Sequence, residues 1–87
     1  MNLAKNNWFV YILLCLDNSL YTGSSNNPDA RFLDHKKGKG GKYTRSHKPL
    51  KRVYLEMFDS KSKALKRESE IKSWNRNKKI KTLKIDL

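Results

Sequence analysis

Trp8-Phe9-Val10-Tyr11-Ile12-Leu13-Leu14-Cys15-Leu16 runs into Asp17-Asn18 and then Ser19-Leu20-Tyr21-Thr22-Gly23-Ser24. The first run is uncharged and rich in aromatic and branched residues, and reads as a strand covered on both faces. Asp17-Asn18 supplies turn chemistry, and residues 19–24 return as the second strand of a hairpin. Side chains alternate along strands, so the connection decides whether Tyr11 and Tyr21 share a face. A two-residue loop would pair Tyr11 with Ser24 and put the phenols on opposite faces. A shared face requires a three- or five-residue connection, or a bulge.

Beyond the hairpin, Asn27-Pro28 marks a helix start, with Asn27 as N-cap and Pro28 in the first turn. This helix is expected to reach about Lys37, where Gly38 stops it. A Gly-rich basic loop, Gly38-Lys39-Gly40-Gly41-Lys42, precedes Tyr43-Thr44-Arg45. Residues 52–58 alternate as a third strand. Ser60 or Ser62 caps a longer helix to about Trp74, and the basic tail carries Ile80, Leu83 and Ile85 at near-helical spacing. The expected order is β-hairpin, helix, strand, helix and short C-terminal helix. That is an α+β fold in which helices flank a three-stranded antiparallel sheet. The 87 residues are expected to form one domain, with a core over about 8–83.

The formal charge of +12 is unevenly placed. Residues 1–35 are net −1, and residues 36–87 are net +13. Such a field attracts polyanions, and nucleic acid is the partner class it favours over an acidic membrane surface. The apolar run from Trp8 to Leu16 has only about half the ~20 residues of a membrane-spanning helix. No signal-peptide pattern is visible, so a cytoplasmic protein is the default. Cys15 is the only cysteine, which excludes a disulfide framework and a cysteine metal cluster. It reads as a small buried hydrophobe. A thin core leaves no room for a deep cofactor cavity, so a shallow site is expected.

Several residues fit their structural setting poorly. Glu68 lies four residues after Ala64 and three before Ile71, on the apolar face of its helix. A carboxylate there needs a partner or a metal, the alternative being a rim salt bridge with Arg31 or Lys72. Glu70 points away and reads as solvated charge. Arg31 and His35, four apart, share a helix face and suit a phosphate, unless both are plain surface charges. Phe32 and Leu33 are expected to face the sheet. Tyr11 and Tyr21 alone would read as packing residues. With Arg31 and Glu68 on one surface they would form a site.

Phe9-Val10-Tyr11, Tyr21-Thr22-Gly23, Arg31 three residues after Pro28, and Ala64-Leu65-Lys66-Arg67-Glu68 occur in an order that resembles the GIY-YIG nuclease domain. The likeness is closest to its small, stand-alone bacterial members and runs from about Trp8 to Leu83. The first triplet is Phe-Val-Tyr where the family has Gly-Ile-Tyr, and the second has Thr22 in the middle, but both keep their tyrosines. The resemblance implies a metal-dependent endonuclease that hydrolyses phosphodiester bonds in DNA, in repair or recombination. It implies catalytic roles for Tyr11, Tyr21, Arg31, His35 and Tyr43, with Glu68 holding one divalent cation, Mg²⁺ or else Mn²⁺. Lys36, Lys37, Lys39, Lys42, Arg45 and Lys72 are the candidates for gripping the phosphate backbone, DNA ahead of RNA. A monomer or weak dimer is expected. The competing readings are a non-catalytic basic nucleic-acid-binding module that retains the fold, and a protein docking on RNA through residues 72–84.

Overall fold

The computed structural model describes residues 7–39 and 46–87. Strands β1 (Trp8–Cys15), β2 (Leu20–Ser25) and β3 (Pro49–Phe58) form an antiparallel sheet in the order β2-β1-β3. Helix α1 (Pro28–Lys36) follows the hairpin, and α2 (Lys61–Lys72) and α3 (Arg76–Leu83) follow β3. The architecture is the α+β arrangement of a three-stranded sheet flanked by helices.

The hairpin closes through Cys15 N–H to Ser19 O at 2.9 Å and Asn18 N–H to Cys15 O at 2.9 Å. Leu16, Asp17 and Asn18 therefore form a three-residue loop, with Asn18 in the left-handed region at φ 70°. Asn is one of the few non-glycine residues that adopts this conformation at low cost. Asp17 accepts from Ser19 N–H at 3.1 Å and Ser19 Oγ at 2.6 Å, and also faces His47. The resulting register pairs Tyr11 with Gly23 and Leu13 with Tyr21. Both tyrosines thus lie on one face, as the odd-numbered connection requires.

Local chemistry starts each helix. The side chains of Asn27, Ser60 and Asn75 accept from the backbone N–H of Ala30, Lys63 and Lys78. Asn75 begins a separate helix, so α2 ends at Lys72, short of the expected Trp74. On one sheet face, Val10 and Ile12 pack with Ala64 and Ile71 of α2 and with Ile85 to form the core. The other face meets α1. A register shift after Ile12 leaves Val53 extra in β3 and places Arg52 opposite Leu13. Arg52 Nη1 there meets Asp29 of α1 at 2.9 Å.

Leu33 does not face the sheet; it is 55% exposed. It lies two residues, about 200°, from the buried His35 on a helix that turns ~100° per residue, so burial of His35 turns Leu33 outward. Phe32 is half-buried with Lys36 Nζ 5.6 Å from its ring centroid. Glu70 is exposed but accepts from Arg67 at 2.8 Å, so it is an ion-paired rather than a simply solvated charge. No described helix is long and apolar enough to cross a membrane.

Candidate active site

Tyr11 comes from the central strand and is 2% exposed; His35, from the last turn of α1, is fully buried. Tyr11 Oη and His35 Nε2 are 3.0 Å apart. Tyr21 completes an aromatic group, its ring centroid 6.4 Å from Tyr11 and 5.1 Å from His35. The i, i+4 pair of Arg31 and His35 therefore delivers a buried imidazole and a part-exposed guanidinium to the same place. Arg31 also faces Asp34 at 3.7 Å.

Gly23 explains how Tyr11 fits. A Cβ at residue 23 would meet Tyr11 Oη at 2.5 Å and Cζ at 2.7 Å, well inside contact distance. The phenol thus crosses directly over the backbone of edge strand β2. In the sequence Gly23 stands out only as part of the Tyr21-Thr22-Gly23 triplet. Its signal was available in the alternation, because a three-residue loop sets it opposite Tyr11.

Burial is the main force on the site's titrations. It raises the Tyr11 phenol to about 12, with a smaller push from Tyr21 and a counter-pull from the adjacent Arg31 guanidinium. Negative charge on Glu68 adds a further small rise. Burial, then the Arg31 charge, lowers the His35 imidazole and keeps it neutral. In the tautomer protonated at Nδ1, Nε2 accepts the phenol proton.

Glu68 approaches differently from the expected single surface. Its Oε1 accepts from Ser24 Oγ at 2.6 Å, and Oε2 pairs with Lys72 Nζ at 2.8 Å. Ser24 is opposite Val10 and so projects from the core face, whereas Tyr11 and Tyr21 project from the α1 face. The tyrosines and the carboxylate therefore stand on opposite faces of the sheet beside edge strand β2, and the charge of Glu68 reaches Tyr11 only as a small push on its phenol. Helix α2 covers the core side of the sheet, which puts Glu68 on that side. The carboxylate's partner is Lys72, while the acid that Arg31 faces is Asp34. Ser24 was not anticipated, and 44 residues separate it from Glu68 without a local pattern to link them.

Among the described residues, no three His, Cys, Asp or Glu side chains cluster as a ready-made metal cage. Glu68, with 15% of its side chain exposed and a cation already paired to one oxygen, fits a hard divalent ion bound by a single protein carboxylate. Lys36, Lys37 and Lys39 are exposed around the end of α1, and Lys72 is beside Glu68 on α2. Tyr43, Lys42 and Arg45 lie outside the described residues. Sequence reasoning also missed two bases near the hairpin: Arg76 Nη2 meets Asn18 Oδ1 at 3.2 Å, and Lys79 Nζ meets Thr22 Oγ1 at 3.1 Å.

The GIY-YIG catalytic domain family matches residues 7–81. The chain is 52% identical over 75 residues to the UPF0213 protein SH2523 of Staphylococcus haemolyticus, covering 86% of this chain and 92% of that one. A solved structure of the UPF0213 protein BH0048 from Bacillus halodurans is 42% identical with a TM-score of 0.58, over 90% of this chain and 83% of that one. The protein EF2693 from E. faecalis is 34% identical with a TM-score of 0.64, over 91% and 84% of the two chains. The matched domain implies nuclease chemistry in general, and with it a nucleic-acid substrate. By both family match and shared residues, the chain belongs to the GIY-YIG family and resembles its UPF0213 members.

Proposed function

We propose that the protein is a cytoplasmic, metal-dependent DNA endonuclease of modest intrinsic strength, acting in repair or recombination as a monomer or weak dimer. The observation that carries this reading is the 3.0 Å contact between a buried phenol and a buried neutral imidazole, beside a second phenol and a guanidinium. A core packing pair would not need Arg31 alongside it.

In this reading Tyr11 is the general base. A phenol near 12 holds its proton at neutral pH, so it can take one from water only as it gives its own away. His35 Nε2 supplies the acceptor, and Arg31 stabilises the negative charge that develops on the phenol and the phosphate. Gly23 leaves the space against strand β2 in which the Tyr11 hydroxyl sits. Tyr21, half-buried next to it, orients the phosphate. Glu68 holds the divalent cation, with Ser24 fixing its carboxylate. When bound, that cation neutralises charge on the leaving oxygen. Lys36, Lys37, Lys39 and Lys72 bind backbone phosphates, as do Lys42 and Arg45 by their sequence position, and Tyr43 lines the site.

The alternative, a binding module without catalysis, draws on the Glu68–Lys72 pair, which satisfies the carboxylate without a metal. Purified Arg31→Ala and Tyr11→Phe proteins separate the readings. Nuclease action predicts that both bind DNA and neither cuts it in Mg²⁺ or Mn²⁺. A binding module predicts no metal-dependent cutting by the unsubstituted chain.

A further inference from the structure

Both oxygens of Glu68 are engaged, but by very different partners. Ser24 is fixed in strand β2 and holds Oε1 at 2.6 Å. Lys72 holds Oε2 at 2.8 Å from a side chain that is 52% exposed, against 15% for the carboxylate it meets. One side of the carboxylate is therefore anchored, and the other is covered by a flexible ammonium in contact with water.

Resting on the reading of Glu68 as a metal ligand, we propose that Lys72 is an exchangeable counter-ion. It occupies Glu68 Oε2 in the metal-free protein and must leave that oxygen for a divalent cation to bind. A mostly buried carboxylate without a cation is costly, which gives Lys72 a role before metal arrives. With Oε1 already accepting from Ser24, Oε2 is the oxygen more open to a cation, and the ammonium and the metal compete for it. The exchange is feasible because an ion pair with one partner half in water contributes little net stability.

The surroundings favour release. Lys79, whose Nζ is 3.1 Å from Thr22 Oγ1, has its ammonium pushed down by burial first and then by the charge of Lys72. The charges of Lys72 and Lys79 thus repel each other. Lys72 released from Glu68 moves into solvent, away from this repulsion and toward any phosphate backbone alongside. Its charge also opposes an incoming cation, so the free protein's metal affinity is lower than Glu68 alone would give.

The test is calorimetric titration of Mn²⁺ into the full chain, without nucleic acid, for the unsubstituted protein, Lys72→Met and Glu68→Gln. We expect Lys72→Met to bind Mn²⁺ roughly two- to fivefold more tightly, as loss of a part-exposed ion pair allows, and Glu68→Gln to lose binding. Equal or weaker binding by Lys72→Met, with Glu68→Gln still inactive toward Mn²⁺, overturns the counter-ion role alone. Absence of Mn²⁺ binding in the unsubstituted protein, or binding that survives Glu68→Gln, overturns the metal-ligand reading and the exchange with it. The unsubstituted chain offers a second readout that requires no folded variant. The Lys72 ammonium resonance in ¹⁵N-lysine-labelled protein should become more mobile as Mg²⁺ saturates the site; unchanged order overturns the proposal.

Discussion

Tyr11 Oη and His35 Nε2 stand 3.0 Å apart, each on a residue with almost no solvent exposure. A central strand and a nine-residue helix are thereby joined by a polar contact in an apolar setting. Its removal has two separable effects. Tyr11→Phe leaves the imidazole nitrogen buried without the phenol, a loss of about 1–3 kcal/mol measurable by urea denaturation. Under the proposed mechanism the same change lowers cleavage by roughly 10²–10⁴-fold, measured at a temperature where the variant is folded. Tyr21→Phe should destabilise less, since Tyr21 is only half-buried.

The same pair sets a pH window. The His35 pKa is depressed below the ordinary 6.5, so the unfolded chain takes up the proton first. Its contribution to stability is fully present above pH 6.5 and is lost as pH falls through the folded value. Tyr11 is raised from 10.0 to about 12, so its contribution is fully present below pH 10 and is lost as pH rises towards 12. Denaturation midpoints across pH should show the acid loss in the unsubstituted chain but not in His35→Gln. The alkaline loss attributable to this phenol should be missing in Tyr11→Phe.

Gly23→Ala tests the packing of the phenol. The new Cβ would lie 2.5 Å from Tyr11 Oη, so the ring or strand β2 must shift. Overpacking of this kind costs about 1–3 kcal/mol, and the displaced phenol loses its contact with His35. Thermal unfolding should show the destabilisation, and the two-dimensional NMR signals of Tyr11 and His35 should move together. A Gly23→Ala protein with unchanged stability and unchanged signals would contradict the close approach.

The proposed phosphate grip predicts a steep dependence of DNA binding on salt. Each lysine that neutralises one phosphate adds about 0.9 to the slope of log affinity against log salt on duplex DNA. Lys36→Ala, Lys37→Ala and Lys39→Ala should each reduce that slope by about 1 and weaken binding similarly on different sequences. Fluorescence anisotropy at several salt concentrations reads both quantities. An unchanged slope for all three would place the track elsewhere.

The hairpin, the caps and the element order were legible because short-range chemistry fixes them. Asn27 caps where its side chain predicts, Ser60 is the one of the two candidate serines that caps α2, and the shared face of Tyr11 and Tyr21 demanded a three- or five-residue connection, of which Leu16, Asp17 and Asn18 form the shorter. Periodicity also marked Glu68 as a carboxylate on an apolar helix face. What periodicity could not supply was the side of the sheet that α2 covers, and hence the face from which Glu68 reaches β2. Its contact with Ser24 depends on tertiary packing alone. Leu33 misled for a related reason: hydrophobicity suggested an inward side chain, but the buried His35 fixes the rotation of α1. The register shift that brings Arg52 to Asp29 likewise leaves no local signature in an alternating strand.

Under the proposed mechanism, Glu68 and the tyrosine–histidine group together cut DNA with the help of a divalent metal. The most direct test is incubation of the purified chain with plasmid, duplex, single-stranded and flapped DNA in Mg²⁺ or Mn²⁺, with Glu68→Ala compared in parallel. The expected result is cutting of at least one substrate that chelation abolishes and that Glu68→Ala loses while remaining folded by circular dichroism. DNA binding with no metal-dependent cutting of any of the four, or cutting that persists in folded Glu68→Ala, would contradict it.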